Sequence, residues 1–324
     1  MFADSIAWIS SWPFFSSLAF GIIALTITGS SWSLLGLIMG DAPKRGIDPA
    51  LVILMGAVTS IAAGLAIGSL TGAFTADCSR KVFWLTCAAY AYCGVSNFFN
   101  LVFMSRAMQT GPNGIIWSII QSAMVFPFIC GMLFLGVEAT ALRITGIILL
   151  LVSLVFFSFG RDNSNRSGGE WKILAFVCLA LCAVQQNVNT LPSYFESSRA
   201  VSSIVRTVAT SCGQLVAASV WLLWGLNREK LKTIGRVLCG GRLWMYILGS
   251  SGFSLVFAYT LFYPGMDVMG AHGMGGMAFP MMVGSCIVSF TLASILILKE
   301  KMRLSQFCGL VLCVAGLILI CTRA

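Results

Sequence analysis

GPNGIIWSIIQSAMVFPFICGMLFLGVE, residues 111–138, returns at 273–300 as GMGGMAFPMMVGSCIVSFTLASILILKE. Gly111, Gly114 and Glu138 of the first stretch recur as Gly273, Gly276 and Glu300 of the second, at a constant shift of 162 residues. Each copy is an apolar run long enough to cross a bilayer as a helix, closed by a charged turn. The chain therefore reads as two copies of one unit. Two similar halves around a shared central site are the architecture of secondary transporters.

Composition agrees. Of 324 residues, 58% are hydrophobic and 10% charged, with a mean hydropathy of +0.92, far from soluble averages. Apolar spans are expected at 15–39, 50–71, 82–105, 115–135, 144–159, 173–190, 203–226, 243–262, 274–298 and 304–321. The fold class expected is an all-α polytopic membrane protein of ten transmembrane helices. It divides into a first five-helix repeat at 1–165 and a second at 166–324, within one integral membrane domain. Because five is odd, the second copy enters the membrane upside down, giving inverted repeats. The opening MFADSIAWISSWP lacks a basic n-region and a small-residue cleavage site, so the first helix is expected to belong to the fold. The polar stretches 161–172 and 227–242 read as connectors, the first as the junction between halves.

The net charge of +9 is unevenly distributed over the connections. Arg80, Lys81, Arg143, Arg199, Arg206 and Arg323 fall on one side of a ten-span topology, leaving the remaining fourteen Lys and Arg on the other. The positive-inside bias makes the richer side cytoplasmic and puts both termini outside, with a bacterial inner membrane as the expected location. Twelve cysteines lie mostly within apolar spans and show neither CxxC nor zinc spacing, so they read as small packing residues.

KEKMRLSQFCGLVLCVAGLILI at 299–320 resembles the closing motif of the drug/metabolite transporter superfamily, in which a Glu opens the last loop and a Gly follows nine residues on. Glu300 and Gly309 match it, and GVEATALRITGIILLLVSLVFF at 136–157 is a weaker copy whose Glu138-to-Gly146 interval is one residue short. Two copies, each closing a five-helix half, extend the resemblance over nearly the whole chain, to the EamA-like ten-helix transporters. A looser similarity to the sugar-porter branch, including the rhamnose-proton symporter type, rests on TGSSWSLLGLIMGDAP, CAVQQNVNTLP and the stretch from FYPGM to KEK. That resemblance implies carriage of a small solute between the two repeats.

Polar side chains inside a membrane are costly and therefore mark a solute path. Ser30, Ser31, Trp32 and Ser33 interrupt the first span, and Gln185, Gln186, Asn187 and Asn189 interrupt the sixth. Asn97 and Asn100 share a face of the third, two turns beyond Tyr90 and Tyr92, while Trp117 and Gln121 share a face of the fourth. Gln214 on the seventh and Tyr259 and Tyr263 on the eighth complete the candidate substrate-binding set. Amides, hydroxyls and rings without charge suit a neutral sugar or polyol, since amides both donate and accept hydrogen bonds. The pairs Gly36/Gly40 and Gly64/Gly68 offer surfaces for close helix approach.

All eleven acidic residues are expected in loops or at helix ends. Coupling to a proton would then fall to Asp267, Glu196 or His272. For His272 a loop-edge ring bonded to backbone is the simpler expectation. Glu138 and Glu300 each precede a helix and are expected to stabilise its N-terminus.

The leading expectation is a secondary carrier for a small polar metabolite, a neutral sugar or related solute, working by alternating access. Export of amino acids or drugs is the alternative within transport. Met266, Met269, Met274, Met277, Met281 and Met282 around His272 raise a remote copper-handling alternative, because thioethers select Cu(I). No HExxH, GxSxG or glycine-rich phosphate loop occurs, so the chain is not expected to be an enzyme or to hydrolyse ATP. Expected partners are a small-molecule solute, the lipid bilayer, a coupling proton and a second copy as a homodimer. No nucleic acid, cofactor or metal is expected.

Overall fold

A computed structural model describes residues 13–74, 78–111, 113–159, 169–224, 228–296 and 304–322. The protein is all-helical, with no strand among the described residues. The first half comprises α1 (Leu18–Asp41), α2 (Pro49–Thr71), α3 (Arg80–Thr110), α4 (Asn113–Gln121), α5 (Val125–Phe134) and α6 (Ala141–Phe159). The second comprises α7 (Glu170–Thr190), α8 (Glu196–Arg199), α9 (Ser203–Leu223), α10 (Arg228–Leu238), α11 (Gly241–Ile247), α12 (Phe253–Phe257), α13 (Tyr263–Ala271), α14 (Ala278–Leu296) and α15 (Leu304–Cys321).

Helix starts follow capping chemistry. Ser17, Asp48, Ser79 and Ser202 each accept a hydrogen bond from a backbone N–H of the first turn, and Pro49 follows Asp48 where its missing N–H costs nothing. Ser202 also donates to the Ala73 carbonyl, tying together two connections at one end of the bundle.

Seven described helical segments are long and apolar enough to cross a membrane: Leu18–Arg45, Pro49–Thr71, Arg80–Thr110, Ile115–Phe134, Glu170–Tyr194, Gly241–Ala271 and Leu304–Cys321. This is an integral membrane protein. Ala141–Phe156 and Gly275–Ser289 are shorter apolar helices. The remaining expected span, α9, is less apolar because Arg206, Thr207, Thr210, Ser211 and Gln214 interrupt it. It packs against α2 and α3.

Three elements differ from the sequence expectation. The eighth span continues past 262 to Ala271 as one rod of α11, α12 and α13, joined by π-helical segments at Leu248–Gly252 and Ala258–Phe262. The fourth is divided by a 3-10 turn at Ser122–Met124. The supposed connector 227–242 contains α10, with apolar residues spaced at a helical period that its high charge obscured. Most of the junction 161–172, and Glu300 with its neighbours, lie outside the described residues.

Packing is symmetric under exchange of the halves. The α1 helix lies against α13 and α14, as α7 lies against α3, α4 and α5. The α3–α9 contact has its counterpart in α2 with α11 and α12, and α4–α6 in α14–α15. The α2–α9 and α6–α15 pairs map onto themselves. Glycine permits several of these close approaches. A Cβ on Gly146 would lie 2.8 Å from the Gly316 carbonyl and one on Gly316 would lie 2.7 Å from the Gly146 carbonyl, so α6 and α15 cross glycine to glycine. A Cβ on Gly64 would meet the Val208 side chain of α9 at 2.6 Å, and one on Gly68 the Phe74 ring at 2.6 Å and Ile204 of α9 at 3.1 Å, whereas Gly36 faces Trp117 at an ordinary 3.6 Å.

Candidate functional site

Two apolar cores lie at opposite ends of the bundle. One gathers Ile38, Leu51, Phe98, Leu101, Ile116, Ile120, Ala183, Ala217 and Ile247; the other gathers Leu25, Tyr90, Met124, Phe128, Phe262, Met266 and Met282. Between them, helix by helix, runs a polar layer. On α1, Ser30 and Ser33 fall between Leu25 of one core and Ile38 of the other, and on α3 Asn97 falls between Tyr90 and Phe98. On α4 Gln121 lies between Ile120 and Ala123 at the edge of the first core, just before Met124 of the second. On α7, Gln185, Gln186 and Asn189 follow Ala183 of the first core, and on α9 Gln214 precedes Ala217. Ser250 and Ser251 occupy the same level of the eighth span, beyond Ile247, where Ser251 donates to the Gly56 carbonyl of α2 at 3.1 Å.

The predicted residues do not all join this layer. Asn100 and Trp117 sit within the first core's level, and Trp32 and Tyr263 within the second's, where the Trp32 ring packs 6.3 Å from Phe262 and 6.2 Å from Phe279. Tyr259 is half-buried in the second π segment. The α7 amides divide by helical phase: Gln186 and Asn189, three apart, are buried, while Gln185 and Asn187 are half-buried.

Along the α3–α7 seam, Tyr90 O–H donates to the Asn189 carbonyl at 3.4 Å, Cys93 to the Gln185 carbonyl and Ser96 to the Leu181 carbonyl. These bonds satisfy backbone rather than amide side chains. Gln186 Nε2 donates to Cys182 Sγ, but Gln186 Oε1, Asn189 Oδ1 and Asn100 Oδ1 are buried with no hydrogen-bond partner among the described residues. An unmet buried acceptor costs about 1–3 kcal/mol, and a solute hydroxyl or amine would recover it.

The largest departure from the sequence reading is Arg206, which is fully buried rather than in an outer loop. Its Nη1 donates to Asp267 Oδ1 at 2.8 Å, its Nε to the Val201 carbonyl at 2.9 Å, and its Nη2 to the carbonyls of Ser198 and Arg199. Tyr90 and Tyr263 present their rings to the guanidinium, each centroid 5.8 Å away, and pack edge to face at 5.0 Å. Asp267 thus lies within α13 as half of an ion pair, not free at a helix end, because the eighth helix runs nine residues further, to Ala271, than hydropathy alone implies.

From this pair a polar track descends α9. Arg206, Thr210 and Gln214 recur at i, i+4 and i+8 along one face, and Thr210 Oγ1 shares a hydrogen bond with Tyr263 Oη at 3.1 Å. Eight residues of helix cover about 12 Å, leading from the ion pair to the polar layer. Arg206 and Thr210 were the residues missed; their spacing with Gln214 in an apolar helix was the available signal.

The other coupling candidates stand apart. His272 is exposed and its Nδ1 pairs with the Val268 carbonyl at 2.8 Å, the backbone-bonded role expected of it. Glu196 is exposed at the start of α8. Glu138 is exposed too, and Thr140 rather than a carboxylate accepts from the first turn of α6, at Arg143 N. All six methionines near His272 are buried in the second core as packing residues.

No protein-family model and no curated protein matches the chain. Among solved structures, one protein chain aligns with a TM-score of 0.68 at 14% identity, covering 94% of this chain and 96% of its own. The two share a fold over nearly their whole lengths. At that identity the likeness speaks to fold alone.

Proposed function

We propose that the protein is a secondary carrier of the drug/metabolite transporter type, built of ten spans in two inverted five-helix repeats. It moves a small polar solute through the layer between the two cores. The observation that carries this reading is the layer itself: uncharged Ser, Asn and Gln side chains at one level of six spans, drawn from both halves, with unmet amide acceptors on α7. A membrane protein pays heavily for such a belt unless it serves passage. The exchange-symmetric packing supports two related halves, and their odd span number supports inversion.

Acceptors without a compensating charge favour a neutral donor-rich solute, hence a sugar or polyol, over amino acids and drugs. The Arg206–Asp267 pair closes one end of the path. Alternating access would break it when that end opens, and Asp267 is the carboxylate within a span that could couple solute movement to an ion.

A melting screen of purified protein against neutral sugars and polyols, amino acids and cationic drugs tests the solute class. Sugars or polyols are expected to raise the midpoint, by mass action on the folded state, with amino acids and drugs inert. Stabilisation by amino acids alone would transfer the assignment to the exporter alternative.

A further inference from the structure

The α10 helix has a face that the carrier reading does not use. Ile234, Val237 and Leu238 turn toward the first core and pack against it. Around the helix, the spacing i, i+4 and i+8 sets Arg228, Lys232 and Arg236 in register along another face, and Lys232 and Arg236 are exposed. Like charges one turn apart disfavour a helix, so such a ridge is best stabilised by an external anion. Lys230 and Arg242 add to the positive charge of the segment, against Glu229 alone.

Position identifies the anion. The segment joins α9 to the eighth span and is bracketed by two exposed tryptophans, Trp224 and Trp244, the second donating through Nε1 to the Leu238 carbonyl. Tryptophans at both ends of a basic amphipathic helix place it at the membrane–water interface, where its charges meet lipid phosphates rather than bulk solutes. We infer that α10 is a docking surface for anionic phospholipid headgroups, held by the exposed Lys232 and Arg236. Only Cys239 and Gly240 separate α10 from α11, so a bound lipid would fix the entry of the eighth span below its first π segment.

The test uses the full chain in neutral detergent micelles, with phosphatidylglycerol or phosphatidylcholine added at equal mole ratio. Phosphatidylglycerol is expected to raise the melting midpoint several degrees above phosphatidylcholine, an increment that shrinks at high salt. The variant R228Q/K232Q/R236Q should lose most of that increment while melting normally in phosphatidylcholine, and K232R/R236K should keep it. If the triple variant does not fold, K232Q and R236Q singly should each retain less phosphatidylglycerol than wild type by native mass spectrometry. An unchanged increment in the triple variant, undiminished retention in both single variants, or an equal effect of inorganic phosphate would overturn the assignment. None of these readouts depends on transport.

Discussion

Arg206→Met lowers the thermal midpoint more than any single change to the polar layer. The guanidinium is fully buried and uses four of its five N–H donors, on three carbonyls and Asp267. Its loss strands a carboxylate that is 20% exposed and frees the 198–201 connection from α9. Breaking a buried pair from one side costs about 3–5 kcal/mol. Asp267→Asn keeps an acceptor and the three carbonyl bonds but leaves the cation uncompensated, so it should cost less. In the double variant Arg206→Met/Asp267→Asn the loss should fall short of the sum by roughly 0.5–3 kcal/mol, since no charge is left behind. Additive losses across this cycle in detergent melts would mean that the pair is not coupled.

The second large effect is steric. A Cβ on Gly213 would fall on the Ala91 carbonyl of α3, and one on Gly94 would fall on the Thr210 carbonyl of α9. Both obstacles are backbone, so the helices must separate. Overpacking a tight seam costs about 1–3 kcal/mol, and more where no side chain can yield. Gly213→Ala should therefore destabilise by at least that amount, and Gly213→Leu should not give folded protein. Gly235→Ala is the control: its Cβ meets open space on α10, and the change should be neutral or stabilise by about 0.4–1 kcal/mol. Equal behaviour of the two alanine variants would refute the close α3–α9 crossing.

The seam explains what the sequence could and could not tell. Span positions were legible because hydropathy is local, and every expected span holds helix. The polar layer was legible on α1, α7 and α9 for the same reason: Ser30, Gln186 and Gln214 interrupt apolar runs. Partnership was not. Arg206 stands four residues into its helix, where a basic residue reads as the end of a loop. Only the nine-residue extension of the eighth span, α13, brings Asp267 to it. The repeat predicts which elements are equivalent but not their local form. Gly111 is extended at φ −132°, while its counterpart Gly273 is left-handed at φ +68°. Nor did composition reveal α10, because five basic residues between 228 and 242 outweigh an apolar face of three or four.

The central claim is that solute passes along the amide-lined seam between the cores. Counterflow of labelled sugar in proteoliposomes addresses it most directly, comparing wild type with Gln186→Ala/Asn189→Ala. Both oxygens lack partners among the described residues, so their removal should leave the melting midpoint within a few degrees while abolishing counterflow. Counterflow at wild-type rate and affinity in that variant would contradict the account and make the seam a packing surface.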